Sequence, residues 1–529
     1  MGRDGAGSAV DPQYAAPALP TPLAVLTVDG SPDDAPDAAA TVRWRRRDER
    51  PDADRTDSAD ATDPPDTTDD AGDGAVEGAP PGWRPSAGSV AALPITTPTT
   101  TPTDLASWLV GVGEGRTRDW RAAGAAAVRA VRDAAASALG VAAADERVAV
   151  LRPDRPEDAP RSADEWAALA LGVVLGSHRF TVRSERTPPR LRVHLEVPAE
   201  HRADVDRAVE LATATARTRD LADTPSGAKS PAWFADTASA LVADADGLEV
   251  TVRDEHWLTA QGFGGVLAVG GGSSRPPRFL ELRWAPEGAS DHVVLVGKGI
   301  TFDTGGISIK PNAGMADMRT DCAGGAAVVA ALRSLARLRV PVRVTGLVPL
   351  AENHVSGSAY RPGDVVRHRG GTTTEVTNTD AEGRMVLADA IAYALEELAP
   401  DVVVDVATLT GAMKVALGVR TGGVFASDPG LRAAIVAAGE GTGEAWWPMP
   451  LTADLDPDVD SAIADVRQAP GGPGAIAAAL FLRRFTGGRP WAHLDIAGPA
   501  RCDSPHEEVA KGATGFAART LVEFCASRA

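Results

Sequence analysis

Apolar and β-branched residues cluster in short runs along the chain, separated by longer stretches with helical spacing. Residues 22–28, 147–152, 180–183 and 191–197 read as strands, each a brief run rich in Val, Leu or Phe. Between them, residues 118–139 form a helix of small apolar residues that stops at Gly140. Ser162-Ala-Asp-Glu165 has the spacing of a capping box, opening a helix that ends near Gly176. A long helix over 198–220 follows. Further on, residues 292–298 (HVVLVGK) have the pattern of a buried strand. Small-residue and apolar helices are predicted over 323–332 and 385–394. Strands alternating with helices imply an α/β protein. No internal repeat is visible.

One stretch breaks the pattern. Residues 49–78 carry eleven Asp or Glu against Arg50 and Arg55, a net of -9, nearly half the chain's formal charge of -19. Pro, Thr, Ala and Gly fill the rest, so the segment cannot bury a core. Disorder is expected over about 30–103, because the Thr/Pro run at 96–103 also folds poorly. With a strand at 22–28 ahead of it, the acidic stretch reads as an insertion into the first domain. The basic knot at 43–47 (RWRRR) could be a binding tail, but a solvated strand edge or a self-pairing of charges is the preferred reading.

The remaining composition narrows the class. At 529 residues the chain can hold about two to four domains. Three cysteines, Cys322, Cys502 and Cys525, are too few for a disulfide framework and fit a reducing, cytoplasmic setting. The N-terminal residues lack the apolar core of a signal peptide, and no run approaches the ~20 apolar residues of a membrane helix. The acidic balance argues against nucleic-acid binding by the body of the protein.

The chemistry concentrates in two places. In Asn378-Thr-Asp380-Ala-Glu382-Gly-Arg384 the two acids are two apart, so an extended segment would point both to one side. They fall at the start of the helix that follows, where backbone N–H groups stabilise negative charge. Alone, the run could be a polar turn with a capping Asp. The second cluster begins at Lys298, after the buried strand. It continues through the glycine-rich turn carrying Asp303, then Lys310, Met318 and Asp321, the last just ahead of a small-residue helix. Acids after strands and at helix starts lie along the ligand-binding edge of an open α/β sheet. Asp303, Asp321, Asp380 and Glu382 together would neutralise two divalent cations. Their oxygen donors suit Zn²⁺, Mn²⁺ or Mg²⁺. Two such ions can activate a water and polarise a carbonyl. A lysine joins such a ligand set only as the neutral amine, which nearby metal charge favours.

The strings VGKGITFDTGGISIKP (296–311), NTDAEGR (378–384), DVATLTGA (405–412), WAHLDIAG (491–498) and KGATGFAARTLVEF (511–524) closely resemble the leucyl aminopeptidase family, two-metal exopeptidases. The resemblance runs from about residue 216 to the end, with motifs in family order. It implies a smaller N-terminal α/β domain (1–198, carrying the insertion), a connecting helix (199–220) and a larger α/β/α catalytic domain with a central mixed sheet (221–529). It implies one metal held by Lys298, Asp303, Asp321 and Glu382, and another by Asp303, Asp380 and Glu382. Lys310 would bind the scissile carbonyl and its oxyanion. Arg384 would hold bicarbonate as general base, which suits a site whose motifs offer no histidine. Met318 and Gly411 match positions lining the pocket for the first side chain, though both also read as core.

The resemblance further implies short peptides as substrates, release of leucine or other apolar residues, and a homohexamer of two stacked trimers. Arg319 and Cys322 stand where relatives commonly carry Lys and Met, and Asp223 where Asn is usual; none of these is an inferred ligand. Rival signatures fail: His506-Glu-Glu-Val-Ala510 lacks the second histidine of a zinc helix, no GxSxG elbow occurs, and Gly297-Lys298 lacks the rest of a phosphate-binding loop. Gly111–Gly115 reads as a loop, and His493 as a core histidine. A cysteinylglycine-type dipeptidase would share every motif, and some relatives are structural or DNA-binding.

Overall fold

The computed structural model describes residues 25–29, 40–45, 86–93, 107–138, 146–153, 156–183 and 190–529, with Leu19 and Leu23. Strands β1 (Val25–Asp29), β2 (Ala40–Arg45), β3 (Val90–Leu93), β4 (Ser107–Gly111), β5 (Glu146–Pro153) and β6 (Arg190–Glu196) form one sheet. Their order is β1-β6-β5-β2-β4-β3, parallel except for β3. Helices α1 (Thr117–Ala138) and α2 (Ala163–Ser177) pack beside it. Ser162 caps α2 through Oγ, which accepts from Glu165 N at 3.3 Å. The two helices cross closely because they meet at glycines: a Cβ on Gly172 would stand 2.1 Å from Arg121 O.

Three expectations change here. Strands β2 and β3 lie inside the 30–103 stretch expected to be disordered, so that bound was too wide; 46–85, with the acidic run, lies outside the described residues. Residues 43–45, the described part of the basic segment, are not at a sheet edge. Strand β2 runs between β5 and β4, and Trp44 is buried edge-on against Trp120 with centroids 6.1 Å apart, because alternation sends the indole inward between two arginines. Residues 180–183 form no strand: among the described residues they pair with no ladder, and the last strand starts only at Arg190.

A single 3₁₀ turn (Ala199–His201) leads into α3 (Arg202–Asp223), which ends three residues later than expected. Thr224 stops it, folding its Oγ1 back onto Asp220 O at 2.7 Å, and Pro225 pushes the residue before it out of helical geometry.

The larger part has a nine-stranded mixed sheet. Its first strands are β7 (Leu248–Arg253), β8 (Arg278–Trp284), β9 (His292–Gly297), β10 (Gly299–Asp303) and β11 (Arg343–Asn353). After β12 (Val365–Arg367) and β13 (Thr373–Glu375) come β14 (Val402–Ala407), β15 (Thr421–Ala426) and β16 (Ala445–Pro448). β17 (Val466–Arg467) joins β12 and β13 in a small sheet, β18 (Trp491–Asp495) completes the large one, and β19 (Arg501–Cys502) pairs with β20 (Gly512–Ala513). The large sheet runs β16-β15-β18-β14-β9-β11-β8-β7, with β10 added beside β11. Strands β18, β14, β9 and β11 are parallel, which places their C-terminal ends at one edge.

Alternate residues of β9 feed opposite cores. Val293 and Leu295 join α3, α4 (Pro231–Leu241), α7 (Ala323–Arg337), α10 (Pro429–Thr442) and α12 (Ala518–Ala526). Val294 and Val296 join α5 (Glu255–Ala260), α6 (Gly264–Gly270), α8 (Glu382–Tyr393) and α11 (Gly474–Arg483). The three layers are thus helix, sheet, helix; α9 (Gly411–Leu417) lies at the strand ends. No helix of the described residues is long and apolar enough to cross a membrane.

Candidate active site

Strand β9 is a topological switch point, flanked by β11 on one side and β14 on the other, so a crevice opens at its C-terminal end. The chain breaks step there. β9 pairs with the first half of β11 and β10 with the second, and the residue at the break is Lys298. Its Nζ lies 2.8 Å from Glu382 Oε1 and 2.9 Å from Asp321 Oδ1, and donates to Thr408 O at 2.9 Å. A gap at Gly383 lets the lysine through: a Cβ there would stand 2.7 Å from Lys298 Cε.

Asp303 ends β10. Its Oδ1 accepts from Gly305 N at 2.8 Å and from Asn353 Nδ2 at 2.7 Å, leaving Oδ2 to Lys310 Nζ at 2.7 Å. The turn after it needs left-handed backbone at Gly305 (φ 86°) and Gly306 (φ 62°), which a side chain would strain. Lys310 also meets Asp380. Asp321 ends the 3₁₀ turn Met315–Thr320, and Thr408 Oγ1 donates to its Oδ1 at 2.7 Å. Glu382 is the first residue of α8, with Asp380 two before it, where the helix N-terminus favours negative charge.

The structure therefore gathers Lys298, Asp303, Lys310, Asp321, Asp380 and Glu382 around one cavity of about 630 Å³, also lined by Met318 and Gly411. Asp303, Asp380 and Glu382 each offer an oxygen within 4.8 Å of the others. Arg384 does not line the cavity. It is buried in the first turn of α8, where Nη1 donates to Gln468 O at 2.8 Å while Nε has no hydrogen-bond partner among the described residues. Burial lowers its pKa to about 10.

The electrostatics show what the donors lack. Burial, then repulsion from Glu382 and Asp321, pushes the Asp303 carboxyl well above its ordinary value. Burial raises Asp321 to about 6, and its Oδ2 finds no donor among the described residues. Burial works against the Lys298 ammonium, but Asp321 and Glu382 outweigh it and hold its pKa above that of an ordinary lysine. Burial would likewise raise Glu382, yet Lys298 and Lys310 bring it below the usual carboxylate range. Four buried or half-buried acids converging on two ammonium groups, with one oxygen orphaned, form an oxygen-rich cradle with one amine, and it fits hard divalent cations.

Sequence reasoning missed the residues that hold these donors in place. Asn353 bridges Asp303 and Thr379 O, and Tyr360 donates to Thr379 O at 2.8 Å. Asp495, at the end of β18, accepts from Leu409 N, Thr410 N and Thr410 Oγ1, fixing the loop that carries Gly411. Thr379, Thr408 and Asp495 lay inside motifs already noticed; Asn353 and Tyr360 gave no local signal. His493 is a core residue as read, its Nδ1 2.5 Å from Asp405 Oδ1 with both side chains fully buried.

Residues 216–522 match the catalytic domain of the cytosol aminopeptidase family. The chain is 44% identical over 412 residues to a probable cytosol aminopeptidase of Leifsonia xyli, covering 74% of this chain and 81% of that one. It is 46% identical over 429 residues to that of Micrococcus luteus, covering 77% and 82%. Among solved structures it resembles the bottromycin maturation enzyme BotP at 39% identity and TM-score 0.76, covering 93% of this chain and 99% of that one. The same enzyme in complex with Mn gives TM-score 0.77, with the same identity and coverage.

Proposed function

The chain belongs to the cytosol aminopeptidase family and is a metal-dependent aminopeptidase, and from that premise we propose that it releases leucine or other apolar residues from the N-termini of short peptides. The observation that carries this reading is the convergence of Lys298, Asp303, Asp321, Asp380 and Glu382 on one cavity beside Lys310. These five residues would hold two divalent ions, Asp303, Asp380 and Glu382 offering oxygens within 4.8 Å of one another. Manganese is the favoured ion, by likeness to the Mn-bound relative, with zinc as the alternative. When bound, such a pair supplies a nucleophilic water at neutral pH and polarises the scissile carbonyl.

The chain's own residues do the rest. The Lys310 ammonium, kept protonated by Asp303 despite its burial, places positive charge where the carbonyl oxygen becomes an oxyanion. Asn353 and the Gly305 amide hold Asp303 in one orientation, so its other oxygen, paired with Lys310, does not wander as charge shifts. Arg384, with an unpartnered Nε, is the residue suited to hold bicarbonate, whose contribution when bound is that of a general base. Met318 and Gly411 border the space for the first side chain, one from the 3₁₀ turn and one from the start of α9. Assembly as a homohexamer in the cytoplasm completes the proposal by analogy with the family.

The test is hydrolysis of leucine p-nitroanilide and a dipeptide panel by metal-stripped protein, resupplied with Mn²⁺ or Zn²⁺. Activity lost on chelation and restored by metal supports the reading. Silence with both metals on folded protein would refute it, and preference for Cys-Gly over Leu-Gly would replace the substrate assignment.

A further inference from the structure

A second cavity, about 760 Å³, opens between α1, the residues after α2, and the C-terminal part of the catalytic domain. Its size suits a small-molecule ligand. In a chain of net charge -19 its lining is notably cationic: Arg129, Arg132, Arg179, Arg319, Arg501 and Lys511 face it, with Asp133 and Asp223 as the acids.

The existing ion pairs leave much of that charge unmatched. Arg132 meets Asp133 at 3.0 Å, and Arg501 is balanced by Asp317 and Asp503. Arg319 reaches Asp223 only at 3.9 Å, and that carboxylate already accepts from Ala513 N. Arg129 donates to a neutral carbonyl, Glu507 O, at 2.6 Å. Arg179 and Lys511 are exposed and take part in no ion pair among the described residues.

Only a thin wall separates this cavity from the peptide cavity. The 3₁₀ turn Met315–Thr320 turns Asp317, Met318 and Thr320 to the peptide side and Arg319 to the other, while Arg501 lines both.

We propose that this inter-domain cavity binds a small polyanion, phosphate-bearing or polycarboxylate, and that its occupancy is coupled to peptide binding across the wall formed by Met315–Thr320 and Arg501. The cations come from both domains, so a bound anion ties them together, and by linkage a peptide alters anion affinity as the anion alters peptide affinity.

Calorimetric titration of the full chain with inorganic phosphate and, separately, tricarballylate tests this, with chloride at matched ionic strength as the control for screening. Saturable binding of one or both is expected, weakened at least tenfold in an Arg179→Ala, Lys511→Ala double variant. Both side chains are exposed, so folding and basal turnover of that variant should match the unaltered protein. Binding of phosphate alone would identify phosphate as the recognised group, and tricarballylate alone a polycarboxylate. Saturable binding by neither anion, or equal binding by the double variant, overturns the site. The coupling predicts a KM shift for peptide in the presence of the anion, absent in the double variant; an unchanged KM overturns the coupling. The calorimetric arm needs no turnover, so it stands apart from the peptidase reading.

Discussion

Gly324 sits in the first turn of α7, where the helix presses onto the end of β14. A Cβ built there would stand 2.1 Å from Val406 O. A carbon meets a carbonyl oxygen at about 3.3 Å even in a close contact, so Gly324→Ala forces the helix or strand to give by about 1 Å. Overpacking of this kind costs about 1–3 kcal/mol. In a domain of this size that corresponds to a fall in Tm of about 2–5 °C. Asp321 stands two residues before α7, its carboxylate held by Thr408 and Lys298, and would be displaced with that turn. A misplacement of about 1 Å in such a constellation costs about 10²-fold in turnover. The assay is paired: differential scanning fluorimetry and kcat for leucine p-nitroanilide on the metal-loaded protein. Gly441→Ala is the control, since that glycine lies in α10 with nothing within 4 Å of its added Cβ. It should be neutral or stabilising by up to about 1 kcal/mol. If Gly324→Ala melted like Gly441→Ala and kept its turnover, the argument from close helix–strand approach would be wrong.

Other outcomes follow from the same geometry. Lys310→Ala should lower turnover by about 10²–10³ with metal content unchanged, as loss of an oxyanion donor does; full turnover would remove its role. Asp495→Asn should cost about 1–3 kcal/mol in urea titration, because it disturbs an acceptor of three N–H or O–H groups in the loop before α9. His292 lies between Leu398 O and Thr345 Oγ1, and burial, followed by Arg343, lowers its pKa from 6.5 to about 4. Between those values the unfolded chain binds a proton that the folded chain refuses. Stability is therefore full above pH 6.5 and falls as the pH drops toward 4, by up to about 3 kcal/mol. His292→Gln should flatten that acid limb of the Tm–pH curve, and an unchanged limb would place the sensitivity elsewhere.

What the sequence revealed, and what it hid, divides along physical lines. The helix over 118–139 and the strand over 292–298 were legible because periodicity and burial coincide in them; they appear as Thr117–Ala138 and His292–Gly297. The acids of the site were legible because each sits in a local pattern, after a strand or at a helix start. Segment 43–47 misled because charge outweighs a single tryptophan when counted by residue. Only the sheet shows that Arg43 and Arg45 flank an inward-facing indole in a central strand. The cationic cavity had no signature at all: its residues come from positions as far apart as 129 and 511, and only the packing of two domains brings them together.

Helix α3 has a practical consequence for anyone dissecting this protein. Its Ala208, Ala212 and Ala216 pack against Leu171, Val174 and Leu175 of α2, while Leu211, Ala214 and Leu221 enter the catalytic core. Arg219 donates to Thr514 O at 2.8 Å, and Thr218 Oγ1 lies 3.5 Å from Ala326 O. The helix is therefore no tether, and the chain has no clean seam. A fragment starting after it would leave an open trough along α7 and α12, and one starting before it would bare an alanine ridge to water. Expression trials that trim the protein to its peptidase half should keep α3 and cover that ridge with polar substitutions, or keep the whole N-terminal domain.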